Sequence, residues 1–520
     1  MVKTGLLPEY NGELILGKFD SSQWLLMDVF YHRPTKDTKF NDYAYIVLKN
    51  AQTGEKKLAT AQNPEMLLYV VNEDCRDYTH SPSYMPLKEC KQVRVKYKNV
   101  IKSIAEIGGK KTMEIYDYYK QNNFAGTKNL FRYPYVLGAD YNYPDYLRIE
   151  WALHYHNPNI EIKLTKMYLD IEVDGIDIPG FPKYGECPIN AVSLIDEESS
   201  TVYVYLLDNP DNPQIDEYMK SIDERIAEYH AAFDETYGVL DYKILLYEDE
   251  LEMLVQMFQL INTLKRDILL IWNGYGFDIP YIIERIKVLG ANPVDVMCPK
   301  DFKTPYLEFH KDTSTYDWKA KNDTFNITAF TQYEDQMSNY IKIRKGKSEL
   351  KTVKLNAIAW KELKDEKLDY SDEADIKTLP YKNYIKFVMY NIKDALLQMG
   401  IERKTNDSTA IFLNMIDNAT PYKSIFSQTI VLKNYAYLSY YKQGYIIGNN
   451  RNIDYSKPRD GIRKKKEKSD VKGALVGDPL LNYNVGATLF GKPSNFIFRY
   501  VIDFDLIRSF HEAIHDSLNS

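Results

Sequence analysis

The segment Lys166-Met-Tyr-Leu-Asp-Ile-Glu-Val-Asp174-Gly175 alternates polar with apolar side chains and stops at a turn residue, as a half-buried strand does. Successive strand residues point to opposite faces. Asp170 and Glu172 therefore share a face with Tyr168, while Met167, Leu169, Ile171 and Val173 line the other. Two carboxylates held so close repel, and a hard divalent cation such as Mg²⁺ or Mn²⁺ offsets that repulsion. Because Asp-x-Glu also decorates solvated strands, the pair gains meaning only if further acids accompany it.

Two more acidic sites follow. The apolar run Ile268–Trp272 has the length of a buried strand, and it leads into Asn273-Gly-Tyr-Gly-Phe277-Asp278-Ile-Pro280. Ile282, Ile283, Ile286 and Leu289 then recur at helical spacing, and Gly290 is expected to close the helix. Asp278 suits the N-cap of that helix, with Pro280 in its first turn. Gly274 and Gly276 permit a tight turn that would hold Asp278 at a sheet edge, open to an ion or phosphate. Farther on, residues 383–401 read as a helix with an apolar stripe through Tyr384, Val388, Ile392, Ala395 and Met399. Tyr390 and Asp394, four apart, share a face away from that stripe, which predicts exposure to a cleft or to solvent.

Taken together, Asp170-x-Glu172, Asn273-x3-Phe277-Asp278 and Tyr390-x3-Asp394 resemble, in order and spacing, the three exonuclease motifs of family B DNA polymerases. The resemblance implies a ribonuclease H-like domain over 164–405 within an α/β, multidomain α+β chain. It also implies 3′→5′ proofreading hydrolysis of DNA with two Mg²⁺ (or Mn²⁺) ions per site. Asp170, Glu172, Asp278 and Asp394 would hold the ions, and Tyr390 would orient the attacking water. Asn273 and Phe277, from the second motif, would contact DNA. Gly180-Phe181-Pro182 is similar to a turn in T-even phage polymerases whose ring meets the unpaired primer end. A loop aromatic covering the core edge is the alternative for Phe181.

Near the C-terminus, Phe496-Ile-Phe-Arg-Tyr-Val-Ile-Asp503-Phe-Asp505-Leu506 resembles polymerase motif A. The match makes Asp505 a palm carboxylate that ligates metal, and puts Phe510 at the position that packs against the nucleotide sugar. In an alternative register Asp503 is the ligand and Arg508 meets the sugar. Arg508-Ser-Phe-His-Glu512 departs from the usual Ser-Leu-Tyr-Pro-Ser, and Val471-Lys-Gly473-Ala474 replaces a family Tyr-x-Gly-Gly/Ala turn. The family's arrangement makes 1–163 an N-terminal domain completed by a return segment over 406–470, with the palm beginning in 471–520.

The sequence ends at Ser520, whereas family polymerases continue through fingers, a second palm motif and thumb. The expected partners are therefore single-stranded DNA, a DNA primer-template and, once a second polypeptide supplies fingers, remaining palm and thumb, a dNTP. A sliding clamp is a further partner that the family implies. Two other readings stay open: a stand-alone 3′→5′ exonuclease of the four-acid type with a vestigial palm, and a non-catalytic DNA-binding subunit of the replisome.

At 520 residues with 44% hydrophobic content, several domains with real cores are expected. Cys75, Cys90, Cys187 and Cys298 form no Cys-x-x-Cys pair, which suits a reducing cytoplasm, that of a host cell if the source is a bacteriophage. No apolar run approaches the ~18–20 residues of a membrane span, and no membrane partner is expected. A net charge of −7 argues against coating by nucleic acid, so contacts must rest on local basic stretches. Lys342-Ile-Arg344-Lys345-Gly-Lys347 reads as a strand and turn, and Arg459–Lys468 as a loop. The aromatic run Asn434–Tyr441 reads as core.

Overall fold

The computed structural model describes residues 21–76, 84–107, 109, 136–139, 141–220, 227–314, 321–344, 352–369 and 376–447. The palm expectations for Asp505, Phe510, Asp503 and Arg508, the 471–474 turn and the 459–468 loop lie outside the described residues. Two compact units emerge. One takes the described residues up to Pro64 and those from Tyr143 to Asn434; the other takes those of Glu65–Asn142 and those from Tyr435 onward.

The first unit opens with an antiparallel sheet of β1 (Trp24–His32), β2 (Tyr43–Asn50) and β3 (Lys56–Gln62). The second unit holds β4 (Glu65–Val71), β5 (Tyr84–Pro86), β6 (Cys90–Lys96) and β7 (Val136–Leu137), with β4 between β6 and β7. In that unit Tyr437 meets Tyr141 edge-on at 4.8 Å and stacks on Tyr441, so these members of the aromatic run are core.

Six strands form the centre of the first unit: β8 (Lys166–Val173), β9 (Ile189–Asp196), β10 (Thr201–Leu207), β11 (Asp241–Tyr247), β12 (Ile268–Ile271) and β15 (Gln332–Asp335). A two-stranded ribbon, β13 (Leu307–His310) with β14 (Thr324–Ile327), stands between β12 and β15 in the chain. The central order is β11-β10-β9-β8-β12-β15. β9 runs antiparallel to both its neighbours; the β10–β11, β8–β12 and β12–β15 pairs are parallel. The architecture is mixed α/β.

Helices cover both faces because β8 alternates as its sequence predicts. Met167, Leu169 and Ile171 enter a core with α1 (Glu250–Leu264) and α2 (Asp278–Val288). Each such buried side chain contributes roughly 1.5–3 kcal/mol. On the opposite face Tyr168 packs beneath α5 (Tyr384–Thr405). That puts both acids of β8 on the α5 side. The end of α2 also follows the sequence: Gly290 adopts φ +84°, its N–H bonds to Lys287 O, and that of Ala291 to Ile286 O.

Two expectations are corrected here. Lys342 and Arg344 belong to helix α3 (Gln336–Arg344), not to a strand. The Asp335 carboxylate accepts the N–H of Ser338 and starts that helix, while Arg344 ends it in an ion pair with Asp407 at 2.6 Å. The second correction concerns α5, which is buried on every side from Phe387 to Glu402. Its apolar stripe faces the sheet, while Leu397 and Ile401 pack against α4 (Leu355–Leu363), which roofs the other side. Tyr390 and Asp394 are accordingly 5% and 3% exposed, not on an open face.

Candidate active site

The acids arrive from three elements. Asp170 and Glu172 project from the end of β8, Asp394 from the middle of α5, and Asp278 stands as the first residue of α2. Carboxylate oxygens of Asp170, Glu172 and Asp394 lie within 4.8 Å of one another. Asp278 stands outside that group, near enough to Asp170 for its charge to be felt there. It is not the N-cap: Phe277 holds that place, with no side-chain bond to the helix.

The turn ahead of Asp278 requires its glycines through close approach. A Cβ on Gly276 would fall 2.2 Å from the Asn273 side-chain oxygen, and one on Gly274 would fall 2.7 Å from Ile271 Cβ. Asn273 itself takes φ +60°, and its carbonyl accepts the N–H groups of Gly276 and Phe277. The Asn273 side chain thus folds over its own turn. Beyond it, Phe277 meets Phe181 edge-on at 5.1 Å, and Phe181 is 76% exposed.

Crowding so many carboxylates has the expected electrostatic result. Burial, then Asp394, Glu172 and Asp278, pushes Asp170 well above the ordinary carboxylate range. Burial and Asp394 lift Glu172 to about 8, and burial with Asp335 lifts Asp278 to about 8. Asp394 is raised too, mainly by burial. Asp170 and Glu172 are half-buried and Asp394 is buried, with protein atoms crowded around all three.

Sequence reasoning missed two further members. Lys367, in the loop after α4, donates its ammonium to Asp394 Oδ2 and to the Tyr390 hydroxyl, the latter at 3.0 Å. Burial works against that charge, but Asp394, Tyr390 and Asp170 hold Lys367 above the usual lysine range. Nothing in the charged stretch around Lys367 distinguishes it from a solvated lysine. Asn391, in contrast, lies inside the third motif; it donates to Asp170 Oδ2 at 2.9 Å and accepts from Ser193 at 2.5 Å, which fixes the Asp170 rotamer.

The donor set fits a divalent cation. The oxygens are hard and clustered, and Asp394 Oδ1 is buried without any hydrogen-bond partner, a costly state that a cation would relieve.

The family profile for the exonuclease domain of family B DNA polymerases matches residues 139–353. The chain carries a family B polymerase exonuclease domain. Its relatives include the DNA-directed DNA polymerases of Escherichia phage RB69, 25% identical over 296 residues (55% of this chain, 30% of the relative), and Enterobacteria phage T4, 24% identical over 236 residues (45% and 25%). The DNA polymerase of Orgyia pseudotsugata multicapsid polyhedrosis virus is 24% identical over 175 residues (33% and 16%). The chain thus spans less than a third of the length of these relatives. Asp170, Glu172 and Asp278 fall within the profile match, whereas the folded exonuclease domain draws Tyr390, Asp394 and Lys367 into the same site from beyond it.

The four cysteines are unbridged. Among the described residues no helix is long and apolar enough to cross a membrane.

Proposed function

We propose that this chain is the 3′→5′ proofreading part of a family B replicative polymerase, with a ribonuclease H-like domain that hydrolyses the terminal phosphodiester of single-stranded DNA. The observation that carries the reading is the convergence of Asp170, Glu172 and Asp394 oxygens within 4.8 Å, with the Asp394 Oδ1 lone pairs buried and unsatisfied.

Asp170, Glu172, Asp394 and Asp278 would hold two Mg²⁺ or Mn²⁺ ions. Bound there, the ions supply an acidified water and charge stabilisation for the leaving 3′ oxygen. The remaining work falls to the chain. Asn391 keeps the Asp170 carboxylate turned toward Asp394. Tyr390 orients the attacking water through its hydroxyl, and it does so unionised, because burial and Asp394 hold its proton firmly. Lys367 steadies that hydroxyl and offsets part of the carboxylate charge, so that a phosphodiester, itself anionic, is not repelled. Phe181 and Phe277 offer ring faces that any unpaired base can use, at about 1–3 kcal/mol per base.

DNA synthesis, with a dNTP, a primer-template, a clamp and Asp505 and Phe510 in the palm, is proposed for a completed enzyme in which fingers, remaining palm and thumb are present. The nuclease reading is tested directly with a 5′-labelled single-stranded oligonucleotide. Stepwise shortening from the 3′ end that requires Mg²⁺ or Mn²⁺ and falls at least ~10²–10³-fold in a folded Asp278→Ala variant is the expected result. Cleavage that survives the substitution would overturn the reading.

A further inference from the structure

The loop that leaves β8 carries the exposed Phe181, and it is strapped from outside. Lys377, in the short 3₁₀ turn Ile376–Thr378 ahead of α5, donates its ammonium to two carbonyls of that loop, Ile178 O at 2.6 Å and Gly180 O at 2.5 Å. Its aliphatic stem lies along Gly175, where a Cβ would stand 3.7 Å from Lys377 Cε. Four residues on, the Tyr381 hydroxyl donates to Asp174 Oδ2 at 2.5 Å, and the Asp174 N–H bonds to Pro188 O. Both ends of the 174–180 stretch are therefore tied.

That strap has an evident target. Gly180 takes φ +84°, with nothing within 4 Å of where a Cβ would stand, and the next residue is the 76%-exposed Phe181. An exposed ring loses conformational freedom when a base stacks on it, and that loss weakens capture. With Lys377 gripping the carbonyl of Gly180, Phe181 instead stands edge-on to Phe277, the residue just before Asp278.

We propose that Lys377 is a positioning residue for substrate: by strapping the 174–180 loop it holds Phe181 and Phe277 as a preformed two-ring platform for the unpaired terminal base of a DNA strand. The inference rests on the nuclease reading for its biological use. The platform takes any base, since it reads a π face, and it favours a frayed end over a paired one because a paired base keeps its own stacking partners.

The test uses the full chain as wild type, Lys377→Met, Lys377→Arg, Phe181→Ala and the Met/Ala double variant, each checked for folding by circular dichroism. The probe is a single-stranded oligonucleotide with 2-aminopurine at its 3′ end, in Ca²⁺ to observe binding and in Mg²⁺ to observe cleavage. Lys377→Met is expected to lose the stacking-induced fluorescence change and to raise KM about tenfold at nearly constant kcat, while Lys377→Arg retains both. The double variant should be no worse than Phe181→Ala alone, since the strap acts only through the ring. A wild-type fluorescence change and KM in Lys377→Met, or losses that add in the double variant, would overturn the inference. If Lys377→Met does not fold, Lys377→Gln, too short to reach both carbonyls, takes its place under the same criteria. The fluorescence readout needs no cleavage, so an inactive wild type would overturn the nuclease reading while the strap is still decided.

Discussion

Two buried acidic sites of the first unit, Asp267 and the cluster around Asp394, are handled in opposite ways. Asp267, just before β12, is buried; Lys49 and the N–H and hydroxyl of Thr165 reach its Oδ2, and Lys56 forms an ion pair with its Oδ1 at 3.0 Å. Burial would raise its carboxyl, but the two ammonium groups hold it below the usual range. At the other place four carboxylates gather around Lys367, which bonds Asp394, and every one of them is raised. The first arrangement is closed: it pins the β1–β3 sheet to the start of β8 and β12. The second holds more carboxylates than cations, so ionising them is opposed, an arrangement that folding alone would select against. An excess of acids over cations distinguishes this cluster from an internal ion pair and fits the proposed cation site.

The comparison breaks first at Asp267. Removing one partner from a buried charge cluster leaves the others uncompensated, so Asp267→Ala is expected to cost about 3–5 kcal/mol in urea unfolding. A loss under about 1 kcal/mol would mean that water enters the cluster, and the contrast would fail. In the acid site the sign should reverse. At alkaline pH, where Asp170 would otherwise have to ionise against its neighbours, Asp170→Asn keeps the shape without the charge, so the metal-free protein should gain about 0.5–2 kcal/mol there while losing metal-dependent cleavage. A destabilised Asp170→Asn would make Asp170 a structural acid.

The same excess of acids gives a pH signature. Glu172 and Asp278 ionise at about 8 in the folded chain and near 4 when unfolded. The folded state then binds more protons, so these groups stabilise it fully below about pH 4, and that stability drains away as pH rises to about 8. Thermal melts of metal-free protein should decline over that window, and the gain in Tm on adding Mg²⁺ should be larger near pH 8.5 than near pH 6. Equal gains at both would mean that the acids are already ionised. The smallest effect is expected from Tyr390→Phe, about tenfold in kcat with metal affinity unchanged, measured by titrating Mg²⁺ against rate. A change in metal affinity would reassign Tyr390 to the ion site.

Much of this site was legible residue by residue. The period of β8 sorted Asp170 and Glu172 from Met167, Leu169 and Ile171, and the faces it predicted are the faces observed. Gly290 closed its helix as read, because only the left-handed region satisfies the last carbonyls. The failures share one cause. Tyr390 and Asp394 looked exposed because amphipathic periodicity locates one narrow stripe, and it carries no information about the wider sheet-side core that takes in Tyr390 or the Lys367 loop that reaches Asp394. Asp278 looked like a cap because helix-start chemistry is local, whereas the acids it interacts with come from β8 and β15. Lys342 and Arg344 looked like strand because the capping carboxylate, Asp335, sits at the end of a strand and reads as part of it.

What the linear order of residues decided was the chemistry available: which strand presents paired acids, which turn must be glycine, which helix brings a phenol and a carboxylate one turn apart. These depend on neighbours a few bonds away, and the backbone repeats at 2 and 3.6 residues carry them. What folding in three dimensions decided was the company those acids keep. Lys367 became an ammonium bonded to Asp394, Asn391 the amide on Asp170, and Lys377 the brace on the aromatic loop, through contacts between segments distant in the chain. Electrostatic energy depends on distance through space and on exclusion of water, and neither follows from separation along a polymer.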